Sequence, residues 1–535
     1  MTRATVVVIE VLLLPHVRAT DFRTKTVLAT LPFPPLLLAA SLLLFAGCAL
    51  PSLEGRPTMV SLSGTNNTRL GTTVTQQAVA HPGKSGVYPL PRAEDAFAAR
   101  ALLAAAAERS IDVQYYIWHD DVTGRLLFDA LCKAADRGVR VRLLLDDNST
   151  SGLDPILAAL AAHPNIFVRL FNPLVNRRAR WTNYVFDFSR VNHRMHNKSF
   201  TVDDQVTIVG GRNVGDEYFG ARGAVAFADL DVVAVGPVVR DIAASFDRFW
   251  NSSSAYPAQT IVPGVSPQEA AQLLSALGAT ASEPGAKSYL ETLRHSELVT
   301  ELHEQRLRFE WVDVKFVGDD PAKVFTADRE LLLLPRLLEL TGQPTSEFDL
   351  VSPYLVPRKE GTAQLSALAQ RGVRVRVLTN SLASNDVAAV HAGYAKSREP
   401  LLRAGLTVYE LKPRPVAVGS APKHSSSASL HAKTFQIDGT RAFVGSFNFD
   451  PRSAQLNTEL GLLIESPQLA HQLQSFFETQ VPRLAYQVTL VQNGKLEWIE
   501  TDSDDRKVYS TEPGTSAWRR GMVRFLGVLP IDWLL

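Results

Sequence analysis

Two stretches of this 535-residue chain repeat one another, and that repetition limits the fold more than any other feature. HNKSFTVDDQVTIVGGRN holds His196, Lys198, Asp203, Gly210, Gly211 and Asn213. HAKTFQIDGTRAFVGSFN holds His431, Lys433, Asp438, Gly445, Ser446 and Asn448, each displaced by 235 residues (431 − 196). Upstream, Arg137-Gly-Val-Arg-Val-Arg recurs from Arg371, displaced by 234 (371 − 137). From average residue usage such a six-position pattern arises on the order of once in 10⁸ start positions, so two copies mean an internal duplication. The repeated unit spans well over one hundred residues, far beyond the roughly 20–50 of solenoid repeats. Each unit is therefore a domain.

Local patterning says what kind of domain. Residues 92–109 read as an amphipathic helix, IDVQYYIW as a strand, TGRLLFDALCKAADRG as a helix closed by Gly138, and VRVRLLLDD as a strand. Strand, helix, strand is a βαβ unit, and such units build a parallel or mixed sheet covered by helices. The fold class expected is α/β. The boundaries expected are a signal sequence over 1–47, a flexible Ser/Thr/Gly/Pro-rich tether over 48–91 and a first domain over 92–255. A mostly helical connection over 256–346 and a second domain over 347–485 follow, and residues 486–535 hold a hairpin around Asn493-Gly494 and a basic, apolar tail.

Composition narrows the partners. A net charge of +1 lacks the basic excess that tracks a polyanion, so no nucleic acid is expected. Only two cysteines occur. Cys132 sits on the apolar side of a helix and reads as a small core residue. Cys48 closes PPLLLAASLLLFAGC, an apolar run preceded by Arg23 and Lys25, which is the layout of a secretory signal, and a Cys directly after Phe45-Ala46-Gly47 resembles the bacterial lipobox, where cleavage leaves a lipid-modified Cys at the new N-terminus. An uncleaved membrane anchor is the other reading, and the run VVVIEVLLLPHV before it suggests a later translation start.

The chemistry lies in the repeat. Side chains alternate along a strand, so His196 with Lys198, and His431 with Lys433, each address one ligand. A strand lysine facing inward is costly unless it meets an anion. Asn213, Gly211, Ser446 and Asn448 supply amide donors and close-approaching backbone suited to phosphate oxygens. Two imidazoles and two ammonium groups around one phosphodiester provide a nucleophile and a proton donor with no cofactor and no metal; LHEQRL, at residues 302–307, begins like a zinc helix but has Leu307 where the second His would stand. Asp229, Asp231 and Glu459 are candidates to orient the imidazoles. Matching 459 to 231 and 457 to 229 gives a displacement of 228, which selects Asp231 and Glu459. Asp203 and Asp438 complete the catalytic sets, though their place at strand-end turns suits holding a loop. The loop from Asn172 to Arg194 carries five arginines and four aromatics, suited to a rim that meets lipid headgroups.

The paired His-x-Lys-x4-Asp-x6-Gly-Gly/Ser pattern, with FNFDPRSAQLNTELGLLIESP and IDVQYYIW, resembles the phospholipase D superfamily, and within it the bacterial cardiolipin synthases, over roughly residues 90–535. The resemblance implies two duplicated α/β/α sandwich domains related by a pseudo-two-fold axis and sharing one active site, with His196 as nucleophile and His431 as general acid. It implies phosphatidyl transfer to make cardiolipin, with phosphatidylglycerol and possibly phosphatidylethanolamine as substrates at a membrane surface. Hydrolysis to phosphatidic acid, or phosphodiesterase or nuclease activity, are the alternatives within the superfamily. With the Cys48 signal, the expected place is the bacterial cell envelope, catalytic domains on the periplasmic side.

Overall fold

The computed structural model describes residues 50–221, 227–326, 328–385, 387–413, 430–492, 494–502 and 505–529. The signal over 1–47, Cys48 and Asn493 lie outside them.

The strands of the first half are β1 Ser85–Leu90, β2 Ser110–Ile117, β3 Arg140–Ser149, β4 Ile166–Phe171, β5 Ser199–Val202, β6 Val206–Gly210, β7 Asp231–Val235, β8 Ala255–Pro257 and β9 Glu310–Val312. They form one nine-stranded sheet in the order β8-β4-β3-β2-β5-β6-β7-β1-β9. The second half contributes β10 Val314–Gly318, β11 Glu347–Val351, β12 Arg374–Asn380, β13 Thr407–Leu411, β14 Lys433–Ile437, β15 Arg441–Gly445, β16 Leu460–Ile464, β17 Ala485–Leu490, β18 Leu496–Asp502 and β19 Asp505–Tyr509. Its ten-stranded sheet runs β10-β16-β15-β14-β11-β12-β13-β17-β18-β19. The shared six-strand order, β4-β3-β2-β5-β6-β7 against β13-β12-β11-β14-β15-β16, is the duplication seen in three dimensions. In both, the two outer pairs on one side are parallel and joined through helices, while the motif strand and its hairpin partner run antiparallel.

Each motif is a hairpin for a simple reason. Both SFTV and KTFQI are buried along their length because the sheet is covered on both sides, with Phe200 and Val202, and Phe435 and Ile437, on one face and Ser199 and Thr201, and Thr434 and Gln436, on the other. Asp203 and Asp438 then turn the chain with φ of 52° each, a left-handed conformation that Asp tolerates better than most residues.

The halves share a core. Val87, Val209, Val232, Ala234 and Ile242 of the first pack with Ala442, Val444, Leu460, Leu462 and Ile464 of the second in one buried apolar cluster. Burying such a layer removes apolar surface from water at about 25 cal/mol per Å², so the two sheets meet as one body rather than as beads on a string.

The structure departs from the expected layout in three places. Residues 56–90 are no tether. Arg56 donates to the carbonyls of Ser252 and Asn251, Ser61 to Asp247, a helix spans Arg69–Ala78, and β1 pairs with both β7 and β9. The connection over 256–346 is helical only in part, since β9 completes the first sheet and β10, one residue later, begins the second. The C-terminal hairpin is present as β17 and β18 but does not stand apart, because β17 pairs with β13 and extends the second sheet. No helix among the described residues is long and apolar enough to cross a membrane.

Candidate active site

The two motif histidines are held by mirrored sets of bonds that cross from one half to the other. The backbone N–H of His196 donates to the carbonyl of Thr458, and that of His431 to the carbonyl of Ala228, each 2.9 Å away. These bonds belong to isolated parallel bridges, Met195 with Thr458 and Ala228 with Leu430. Each imidazole then meets a carboxylate from the opposite half. His196 Nδ1 lies 2.8 Å from Glu459 Oε2, and His431 Nδ1 lies 2.6 Å from Asp229 Oδ2. A carboxylate beside Nδ1 fixes the tautomer with the proton on that nitrogen, leaving Nε2 free as a base or nucleophile.

Glu459 is itself fastened by Ser446 Oγ at 2.5 Å and Ser453 Oγ at 2.7 Å. Asp229 is anchored through its carbonyl, which accepts from Arg212 at 2.8 Å. The close approach of Asp229 explains Gly211, where a Cβ would fall 2.1 Å from Asp229 Oδ1. Lys198 Nζ donates to the His196 carbonyl at 2.6 Å, and Lys433 Nζ to the His431 carbonyl. A lysine has three N–H donors, and each of these spends one on the carbonyl of its own histidine. Aromatic edges complete the walls: Tyr116 is edge-on to His196 with ring centroids 5.0 Å apart, and Tyr218 is edge-on to His431 at 5.1 Å.

The electrostatics couple the half-sites into one cluster. Burial, then Lys198 and Lys433, hold the His196 imidazolium well below its ordinary range. Burial and Lys433 push His431 down to about 4, against the opposing pull of Asp229. Lys198 is lowered by burial and by Lys433, with Glu459 pulling the other way. Charges act this strongly only across short, poorly screened distances, so lysines of each half act on the histidine of the other. The two carboxylates differ. Burial raises Glu459 to about 7, whereas for Asp229 burial is outweighed by His431, Lys433 and Arg212 and the carboxyl lies near 2.

Several expected site residues have other duties. Asp231 orients no imidazole; its carboxylate accepts from Arg100 at 2.8 Å and from the Arg212 backbone N–H at 3.2 Å. The register explains why: Gly210 pairs with Asp231 and Gly445 with Gly461, so the halves correspond at a displacement of 230 (461 − 231) and Glu459 matches Asp229. Asp203 and Asp438 are not at the catalytic centre. Asp203 accepts backbone N–H groups of Glu108, Arg109 and Ser110, and Asp438 those of Thr345, Ser346 and Glu347, where the chain enters β2 and β11. The Ser446 hydroxyl is committed to Glu459 and to the Leu460 N–H at 3.0 Å rather than to a phosphate. Asn213 Oδ1 accepts from Ile117 N–H at 3.2 Å, and its amide donates to Tyr218 Oη at 3.1 Å. The buried Asn448 Oδ1 has no hydrogen-bond partner among the described residues.

The basic loop is likewise turned inward in part. Arg177 pairs with Asp147 and Asp154, Arg190 with Asp187 at 2.6 Å, and Arg194 with Asp146 at 3.1 Å. A cleft of about 810 Å³ opens between the halves along Val232, Val351, Leu430, Ala432 and Phe476; it touches Asp229 but none of the four motif His and Lys side chains. One trio with metal-binding potential exists among the described residues, His119, Asp121 and Glu217, with ligand atoms within 4.8 Å of one another. It is engaged internally, His119 with Glu217 at 3.1 Å and Asp121 with the N–H groups of Gly124 and Asp216.

Sequence reasoning missed Ser453, whose signal was its position in FNFDPRS, and Tyr116 and Tyr218, which periodicity does not distinguish from core aromatics.

Two duplicated α/β sheets with paired His-x-Lys strands meeting at one carboxylate-braced histidine pair define the phospholipase D-like class. The chain belongs to the family described as cardiolipin synthase, PLD-like domain, whose model matches residues 101–250 and 337–481. It is 48% identical over 474 residues to cardiolipin synthase C of Escherichia coli (strain K12), covering 87% of this chain and all of that protein. It is 27% identical to cardiolipin synthase A of Pseudomonas syringae pv. syringae (strain B728a), covering 71% of this chain and 65% of the other. The crystal structure of phosphatidylserine synthase from Haemophilus influenzae Rd KW20 has a similar fold, with a TM-score of 0.51, 15% identity, and coverage of 86% of this chain and 96% of that one.

Proposed function

We propose that this protein makes cardiolipin by phosphatidyl transfer, with phosphatidylglycerol as acceptor and phosphatidylglycerol or phosphatidylethanolamine as donor. The observation that carries this reading is the crossed pair of His–carboxylate contacts, which braces the two imidazoles with carboxylates of unequal proton affinity. In the first step neutral His196 Nε2 attacks the donor phosphorus. The P–O bond to the headgroup breaks, and His431, as imidazolium, gives its Nε2 proton to the departing alkoxide. In the second, the acceptor hydroxyl loses its proton to His431, its oxygen bonds to phosphorus, and the P–N bond to His196 breaks.

The unequal carboxylates favour these roles. Asp229, ionised to about pH 2, supports a positive charge on His431. Glu459, raised to about 7, supplies less negative charge to His196, which stays neutral as a nucleophile must. His431 becomes protonated when the phosphodiester anion enters and offsets the charge of Lys198 and Lys433. The lysines then stabilise charge developing on the phosphoryl oxygens. Cys48 would tether this machinery at the bacterial envelope.

Incubating the purified protein with vesicles of phosphatidylglycerol, alone and mixed with phosphatidylethanolamine, and resolving the lipids tests the reading. Cardiolipin with released glycerol or ethanolamine is the expected result. Phosphatidic acid as the sole product contradicts it.

A further inference from the structure

Two exposed aromatic patches have no role in the chemistry above, one in each half. The Trp181–Phe186 helix presents Trp181, Val185 and Phe186 to solvent, with Trp181 70% and Phe186 79% exposed. The Ala517–Val528 helix presents Trp518, Met522 and Phe525, at the i, i+4, i+7 spacing of one helical face, with Trp518 80% and Phe525 65% exposed. Its other face is buried, Val523 packing with Leu382 and Ala392. Arginines accompany both patches: Arg178 is exposed beside the first, and Arg519, Arg520 and Arg524 lie on the second helix, which has no acidic residue.

Both helices lean on the same part of the duplicated fold. Near the end of β3, the carboxylate of Asp146 accepts the N–H of Met195 at 2.7 Å, one residue before His196. β12 ends in Asn380, whose side-chain oxygen accepts the N–H of Leu430 at 2.9 Å, one residue before His431. The displacement is 234 (380 − 146), that of the repeated RGVRV segments. The first helix rests on the last residues of β3, with Arg180 donating to the Asp147 carbonyl at 3.0 Å and Tyr184 donating to Asn148. The second rests on the chain leaving β12, with Arg519 donating to the Asn385 carbonyl at 2.7 Å. So both patches stand beside the strand ends that brace the residues just before the histidines. The first is also linked inward: Asn148 donates to Tyr116 Oη at 3.2 Å, and Tyr116 abuts His196.

We propose that these two helices form one docking face for an anionic phospholipid bilayer, seating the catalytic mouth on the lipid surface. Aromatic side chains with an apolar body insert at the headgroup level while arginines pair with phosphate, and exposed apolar patches rimmed by cations mark such contacts. The charge complementarity singles out an anionic bilayer over an apolar protein partner. The inference rests on the phospholipid reading of the active site.

The test uses the full chain on phosphatidylglycerol vesicles whose acyl chains carry bromine, which quenches tryptophan on contact. The expected result is quenching that falls by at least half in the Trp181→Phe/Trp518→Phe variant. In parallel, Trp181→Ala/Phe186→Ala/Trp518→Ala/Phe525→Ala loses at least tenfold in turnover of vesicle lipid and stays within twofold on a monomeric short-chain phosphatidylglycerol. Unchanged quenching and unchanged vesicle turnover overturn the docking face. Equal losses on both substrates overturn it as well, since they mean damage to the fold or the site. Quenching as expected, with no turnover of either lipid by the unaltered protein, sinks the catalytic reading and leaves the docking face standing.

Discussion

At the residue scale, the account turns on two carboxylates that each serve the other half. Gly211→Ala would set a methyl group on the Asp229 carboxylate oxygen, 2.1 Å from an ideal Cβ, so the acid must swing away from His431. A folded protein with turnover reduced about 10²-fold or more is expected, the size of a lost general acid, checked by a lipid assay beside circular dichroism. Asp229→Asn is sharper. Asp229 raises the proton affinity of His431, so its removal lowers that affinity further and the imidazolium is lost at lower pH. The variant should fall further behind the unaltered protein at pH 8 than at pH 5.5, and a pH profile of kcat, which reports the substrate-bound enzyme in which His431 is protonated, reads this directly. A uniform loss across pH would mean that Asp229 only positions the ring. The choice between Asp229 and Asp231 was not legible in the sequence. Two acids two residues apart look alike, and only the strand pairing reveals that Asp231 opens β7 facing Arg100 while Asp229 lies just before it.

At the element scale, the motif aspartates are strand-end clamps. Asp203, fully buried, gathers three backbone N–H groups where β2 begins. Losing charge-assisted bonds of this kind costs about 2–3 kcal/mol in all. Asp203→Ala should therefore lower the thermal midpoint while the protein that remains folded keeps turnover within a few-fold. For Asp438 burial opposes ionisation, but the N–H groups of Ser346, Glu347 and Thr345 hold its carboxyl at about 2 against an ordinary 3.8. Its folded-state value is depressed, so its stabilisation is present above pH 3.8 and disappears as pH falls toward 2. Thermal midpoints of Asp438→Asn and the unaltered protein should converge in that window.

The motif strands and the βαβ units were readable because β-branched runs and Gly-closed helices announce themselves locally. β1, with SGVYPL, was not: Gly86 and Pro89 are poor strand residues, and only its neighbours β7 and β9 impose the extended form. β9 and β10 are three and five residues long and amphipathic by turns, too short for a period to register.

At the scale of the whole molecule, the duplication has become a single body. The apolar layer between the sheets and the crossed His–carboxylate contacts place both half-sites within one chain. Mixing inactive His196→Ala and His431→Ala proteins should therefore restore no turnover, whereas recovery would point to half-sites shared between copies. That one site arises from two halves was legible in the repeat itself. Which acid crosses to which histidine was not, because it depends on contacts between residues more than two hundred positions apart.

The most direct test uses phosphatidyl-p-nitrophenol, a donor whose leaving group needs no proton, with the His431→Ala protein. Quenching in alkali and mapping peptides by mass spectrometry should find the phosphatidyl group on His196, accumulated toward one equivalent because no base remains to activate the acceptor. The group on another residue, or no adduct while p-nitrophenol is steadily released, would contradict the account.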